Sequence, residues 1–212
     1  PDVAQGRIEL EMRSGWDFDD TAKKDGQRAD KLVANYGITN RWMMETKFDM
    51  AGNSSDFKAT TIEWSNRYQL LKDGEGWARL AVQGTYKHAL QSGTADVIEA
   101  VILASKDTGN FRHTGNFYFA NQVGGNAQGG TDFNFGWNSR YRYSPSFQPG
   151  VEIYGDLGTI HDPAQTNGPD KFQIGPVAQG ELGKFKYDVG YLFGLNEHVP
   201  DGRIKAILTC KF

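Results

Sequence analysis

The chain has 212 residues, a net charge of −3, 23% charged and 38% hydrophobic residues, 26 glycines and one cysteine. That length suits one domain covering residues 1–212, and the acidic balance makes no electrostatic case for nucleic acid. No run approaches the roughly 18 apolar residues of a membrane helix, and Cys210 alone permits neither an internal disulfide nor a cysteine-rich metal site.

Alternation of apolar and polar residues nevertheless recurs along the chain, in segments of about 9–11 residues that would cross a bilayer as tilted strands. Twelve strands are predicted on this pattern. The first sets Ile8, Leu10, Met12, Ser14, Trp16 and Phe18 on one face against Arg7, Glu9, Glu11, Arg13 and Asp17 on the other. The second carries Leu32, Ala34, Tyr36 and Ile38 on its apolar face. After a tight turn over 37–40, the third opposes Trp42, Met44, Thr46, Phe48 and Met50 to Arg41, Glu45, Lys47 and Asp49. The fourth opposes Ile62, Trp64, Tyr68 and Leu70 to Glu63, Ser65, Arg67 and Gln69. It runs into Lys72-Asp73-Gly74-Glu75-Gly76, a turn whose residues tolerate positive φ.

The fifth strand has Leu80, Val82 and Tyr86 against Arg79, Gln83, Thr85 and Lys87. The sixth, Val97 to Lys106, is the least regular, because Val101 and Leu103 share a face with Glu99. The seventh runs from Phe111 to Gln122, with Phe117 and Phe119 apolar-side and Arg112 opposite. The eighth places Phe133, Phe135, Trp137, Tyr141 and Tyr143 against Asn134, Asn138, Arg140 and Arg142. The ninth extends from Phe147 to Ile160 and bears Glu152 and Asp156. The tenth, Lys171 to Leu182, bears Glu181 and contains Pro176, which fits mid-ladder only if a bulge absorbs it. The eleventh opposes Phe185, Tyr187, Val189, Tyr191, Phe193 and Leu195 to Lys186, Asp188 and Asn196. The last opposes Ile204, Ala206, Leu208, Cys210 and Phe212 to Arg203, Lys205, Ile207, Thr209 and Lys211.

The apolar face is too aromatic, and the polar face too charged, for a soluble sandwich with a packed interior. The pattern therefore reads inside out: an all-β, transmembrane, antiparallel up-and-down barrel of twelve strands, with lipid outside and water within. Connections rich in Gly, Asn, Asp and Pro (19–30, 51–56, 91–96, 124–130, 162–170 and 196–202) alternate with mostly shorter ones such as 108–110, 144–146 and 183–184. Long external loops and short periplasmic turns would put both termini in the periplasm of a Gram-negative bacterium. Aromatic residues then sort into two belts, one with Tyr36, Trp42, Tyr68, Phe111, Tyr141, Tyr143, Phe185 and Phe212, the other with Trp16, Phe18, Phe48, Tyr86, Phe119, Phe133 and Phe193. No leader-like segment precedes Pro1, so the numbering is expected to begin at a mature or engineered start.

Function should lie on the inward face. Arg7, Arg41, Arg67, Arg79, Arg112, Arg140, Arg142 and Lys186 fall in the periplasmic half. Glu9, Glu11, Glu45, Glu63, Glu152, Asp156, Glu181 and Asp188 interleave with them, mostly nearer mid-depth, and Arg13, Lys47 and Lys205 also face inward. One reading is a constriction that orients and passes small polar or charged solutes, since charged rings select ions and Arg offers a fixed fork for carboxylates. The other is that these ions pair across the lumen and plug it, or snorkel to inner-leaflet phosphates. Acids interleaved so closely do not predict strong anion selectivity.

Twelve strands in about 210 residues, an arginine-containing lumen and the terminal Lys211-Phe212 resemble the small monomeric outer-membrane porins for oligogalacturonate and sialic acid. The resemblance spans the whole chain and is one of architecture. It implies a passive channel with no cofactor, in which Arg112, Arg140, Arg142 and Lys186 face solute and acidic saccharides are cargo. Phe212 resembles the terminal aromatic that the barrel-assembly machinery recognises, which implies that machinery as a partner beside membrane lipid and lipopolysaccharide. A closed structural or adhesive barrel acting through its loops is the alternative function.

Enzyme readings are weaker. A barrel phospholipase places His and Ser two residues apart with an Asn orienter, whereas here His88 and Ser92 are four apart. A rim protease would use Asp pairs with Asp–His, to which Asp19, Asp20, His161 and Asp162 bear a faint likeness; an acidic solvated loop explains them better. His113 and His198 have no evident partners, so no metal site is expected.

Overall fold

In a computed structural model, which describes residues 2–159 and 171–212, the strands are β1 (Ile8–Phe18), β2 (Arg28–Gly37), β3 (Trp42–Gly52), β4 (Phe57–Leu71), β5 (Arg79–Ala89) and β6 (Asp96–Thr108). They continue as β7 (Phe111–Val123), β8 (Asp132–Tyr141), β9 (Gln148–Thr159), β10 (Lys171–Leu182), β11 (Phe185–Gly194) and β12 (Gly202–Lys211). Each pairs antiparallel with its neighbours in sequence, and β1 pairs β12 over Glu9↔Lys211 to Phe18↔Gly202, which closes the barrel. Closure removes every sheet edge, the requirement for a spanning sheet in lipid.

Burial inverts between the two faces. Outward residues such as Leu10, Leu32, Ile62, Trp64, Ile98 and Leu208 are exposed, whereas inward Glu45, Glu63, Glu99, Glu152 and Lys205 are buried. This is the all-β transmembrane up-and-down barrel that the alternation predicts. The belts carry local pairings: Phe111 packs edge-on to Tyr141 at 5.2 Å, and Tyr191 on Phe193 at 4.8 Å. Polar groups on the outer face are satisfied locally, as hydrocarbon demands. The Trp42 indole donates to Asn66 Oδ1 and the Trp137 indole to Ser139 Oγ.

Several boundaries differ from the predicted ones. β2 begins at Arg28 inside the expected loop and ends at Gly37, leaving Ile38 in the turn. β4 begins at Phe57, which shortens the preceding connection to 53–56. Tyr143, Phe147 and Leu195 lie beyond their strands. Pro176 needs no bulge: the β9–β10 ladder continues through it, while pairing to β11 lapses between Ile174↔Phe193 and Val177↔Gly190 without a change of register. The two-residue turns Gly109-Asn110 and Gly183-Lys184 each open on a glycine with positive φ (56° and 62°), as tight hairpins require.

The chain termini and the turns after β2, β4, β6, β8 and β10 share one end of the barrel, the terminal end. The connections after β1, β3, β5, β7, β9 and β11 share the other, the loop end. Residues 2–6 fold back at the terminal end, where Val3 is buried and its amide donates to Gln69 Oε1 at 3.2 Å.

Candidate functional site

Strand register assembles the inward ions into rows. Lys31 pairs in register with Asp49, Lys47 with Glu63, and Glu63 with Lys87, so opposite charges meet across adjacent strands. Lys31 Nζ lies 3.2 Å from Asp49 and 2.9 Å from Glu63, and Lys47 Nζ lies 2.9 Å from Glu45 and 3.0 Å from Glu63. Arg67 stands 3.7 Å from Glu45, and Lys87 is 2.8 Å from Glu99. This wall balances its charge.

The facing wall is built by β8 to β12. Lys205 sits between Glu152, with which it forms an ion pair, and Asp188 at 3.1 Å. Tyr154 donates its hydroxyl to Glu152 at 2.9 Å, Gln179 Nε2 donates to Asp188 at 2.9 Å, and Arg140 donates to Gln179 Oε1. Lys186 reaches Glu9 at 3.2 Å, Lys171 reaches Asp156 at 3.3 Å, and Lys211 reaches Glu181 at 2.8 Å. Arg13 donates to Glu11.

At the terminal end the balance tips to positive. Asp107 accepts from Arg112 at 2.7 and 2.8 Å, from Arg79 at 3.0 Å and from Arg142 at 3.0 Å. One carboxylate among three guanidiniums leaves a net positive rim.

The walls enclose two cavities. A cavity of about 540 Å³ in the loop-end half is lined by Arg13, Lys31, Asp49, Tyr154, Arg203 and Lys205 among others. A second, of about 410 Å³ and nearer the terminal end, is lined by Asp2, Arg112, Asn138, Arg140, Glu152 and Asp188 among others. Arg13, Tyr154, Lys205 and Ile207 line both and stand at the waist where the two adjoin. Against the β5–β7 side, Ala81, Val101 and Leu103 pack with Tyr118 into a small apolar cluster. That cluster explains the irregular sixth strand: its inward face is part apolar because it packs inside the barrel.

Every residue expected to line the lumen stands on the inner side of a strand except Arg7, Arg41 and Arg142, which lie in the connections at the terminal end. Arg41 donates to the Leu70 carbonyl at 2.9 Å and to Glu75 at 2.6 Å, so it clamps the 72–78 turn. The Lys72 amide, and then Arg41, hold the Glu75 carboxyl below its ordinary value. Tyr118, Tyr154 and Asp107 were not singled out from sequence, although Tyr118 and Tyr154 share strand parity with the expected Arg112 and Glu152, and Asp107 shares it with Glu99 of the irregular sixth strand.

Two of the described histidines have structural partners. His88 bonds Asp96 at 3.1 Å on the outer face, and Asp96 also accepts from Tyr86. His113 bonds Ser139 at 2.9 Å and stacks between Phe111 and Trp137, correcting the expectation that it lacks a partner. Asp19 accepts from the Thr21 hydroxyl and amide and from Lys24, and these contacts, Thr21 foremost, lower its carboxyl to about 2. His161 and Asp162 lie outside the described residues.

No protein-family model matches the chain, and a search of curated proteins finds no match. Solved structures do match in fold. The KdgM porin is 9% identical, with 96% of this chain and 99% of that one covered at a TM-score of 0.68; a second KdgM structure is described as a complex with disordered oligogalacturonate. The NanC porin is 10% identical, covered over 96% and 98% at 0.61. An outer membrane channel from Pseudomonas putida is 10% identical, covered over 99% and 96% at 0.69. At these identities the likeness is one of fold, and the fold is that of small outer-membrane porins.

Proposed function

We propose that the protein is an outer-membrane channel of a Gram-negative bacterium, a porin through which small hydrophilic solutes diffuse passively. The observation that carries this reading is a closed barrel, apolar outside, whose inner wall holds ions of both signs around two cavities that meet at a waist. The fold likeness to KdgM and NanC supports the same reading.

In this proposal the pore is lined by Arg7, Glu9, Glu11, Arg13, Arg41, Glu45, Lys47, Glu63, Arg67, Arg79, Arg112, Arg140, Arg142, Glu152, Asp156, Glu181, Lys186, Asp188 and Lys205. Charged and saccharide solutes are its cargo, and the net positive terminal end favours acidic sugars there. The barrel works as a monomer, without covalent chemistry or cofactor. Its terminal end faces the periplasm, its outer belt meets lipopolysaccharide, and β12 with Phe212 is read by the barrel-assembly machinery.

Single-channel recording in planar bilayers tests the proposal. Refolded protein should give discrete conductance steps whose size scales with salt. Protein that is folded by circular dichroism yet electrically silent would replace the channel with a closed barrel acting through its loops.

A further inference from the structure

Residues 2–6 cross the terminal mouth, and three contacts hold them there. The Val3 amide donates to Gln69 Oε1 on the inner side of β4, the Gln5 amide to Asn40 Oδ1 at 3.3 Å, and the Gly6 amide to the Gly37 carbonyl at 2.8 Å. Gly37 in turn donates to the Arg7 carbonyl at 2.9 Å, so the β1–β2 ladder extends beyond Ile8 before the chain turns inward at Gly6, where φ is +73°. The crossing depends on residue 37 having no side chain: a Cβ there would lie 1.8 Å from the Ala4 carbonyl oxygen. Val3, the one aliphatic side chain beyond alanine in this segment, is buried, and Gln69 pairs in register with Ala81 of the apolar cluster. The segment is therefore seated against the inner wall.

This seating delivers one charge to a particular place. Asp2 Oδ2 lies 3.9 Å from Arg79 Nη1, and Asp2 lines the lower cavity together with Arg112 and Arg140. Arg79 and Arg112 share Asp107 with Arg142, a group that carries an excess of positive charge. At 3.9 Å, Asp2 forms no tight pair and stays half-exposed to the cavity, so its field acts on whatever passes.

We propose that Asp2 is a determinant of charge selectivity, held at the terminal mouth by the 2–6 strap as a built-in counter-anion to the Arg79–Arg112 group. The inference rests on the channel reading above. With Asp2 in place the mouth is only weakly attractive to anions; without it, the arginines are free to concentrate them.

The test measures reversal potentials across planar bilayers in a KCl gradient, for wild type, Asp2→Asn and Gln69→Leu. Asp2→Asn should raise the chloride-to-potassium permeability ratio about two- to three-fold at unchanged fold, a shift of the order expected for one charge at a narrow mouth. Gln69→Leu should move it the same way by loosening the strap. A conducting wild type whose reversal potential is unmoved by Asp2→Asn overturns the proposal and leaves the channel intact. Silence from wild type and variants alike removes the channel and this role with it.

Discussion

Lys205 on β12 and Glu152 on β9 form an ion pair although β10 and β11 stand between their strands. Neighbouring strands place their ions side by side, but this pair spans an arc of the wall and fixes the waist that Arg13, Tyr154 and Ile207 share with it. Replacing the ammonium leaves Glu152 and Asp188 uncompensated beside the solute path. Lys205→Met should therefore shift selectivity toward cations, on the order of three-fold in potassium-to-chloride permeability. Adding Glu152→Gln should return the reversal potential toward wild type; a double variant no different from the single would mean that the pair is remote from the current.

Gly175 illustrates a constraint set by backbone alone. It lies where β10 fails to pair with β11 beside Pro176, and a Cβ on it would lie 1.8 Å from the Tyr191 carbonyl oxygen. A backbone oxygen inside a closed sheet has little room to yield. Gly175→Ala should cost about 1–3 kcal/mol, the range for overpacking, seen as a lower unfolding midpoint in detergent. Gly84 on β5 has no atom within 4 Å of the same construction. Gly84→Ala should be neutral or stabilising by about 0.5–1 kcal/mol, the strand preference for Ala over Gly. Equal losses at both sites would remove the steric account of Gly175.

How much of this could be read from sequence follows from which signals are local. The strands were legible because parity is a property of each segment by itself: Glu63 and Trp64 adjoin in sequence and part to opposite faces. What was not legible depends on partners distant in sequence. Val101 and Leu103 looked misplaced until Ala81 and Tyr118 supplied an apolar cluster inside the barrel. Arg41 and Arg142 kept the parity of lining residues but lie past their strands' ends, where the Leu70 carbonyl at the end of β4 and the Gly109 carbonyl of a turn capture them. Arg28 and Asp30 stand on the outer side, paired at 2.5 Å, with the guanidinium over Trp16 and Phe57; alternation alone assigned no charge there. The 2–6 strap had no signal beyond a lone Val3.

The first long loop should respond to acid in a defined window. Asp19 lies outside the strands, and its carboxyl is lowered from 3.8 to about 2 by Thr21 and Lys24. A carboxyl depressed in the folded state stabilises it fully above the unfolded value and loses that contribution as pH falls through the folded one. The loop contacts of Asp19 should thus be constant above about pH 4 and dissolve between there and about pH 2. The Thr21 amide resonance, followed by NMR, should titrate with the low value, and Asp19→Asn should abolish the titration. A midpoint near 3.8 would show that the Thr21 and Lys24 contacts do not persist in solution.

The sharpest test of which side is wet uses two adjacent residues. Ile207 faces inward and lines the waist, whereas Leu208, 53% exposed, points outward from the same stretch of β12, where it pairs with Met12 and Tyr187. The backbone environment is the same for both, so a difference between them comes from the medium each side chain meets. An arginine at mid-depth on a lipid face costs about 2–4 kcal/mol, and far less where water solvates it. Leu208→Arg should lower unfolding free energy in lipid vesicles by that amount. Ile207→Arg should fold as wild type and instead alter conductance, since its guanidinium enters the waist beside Lys205. If Ile207→Arg were the destabilising member of the pair, the interior would be a dry core and the channel assignment would fall with it.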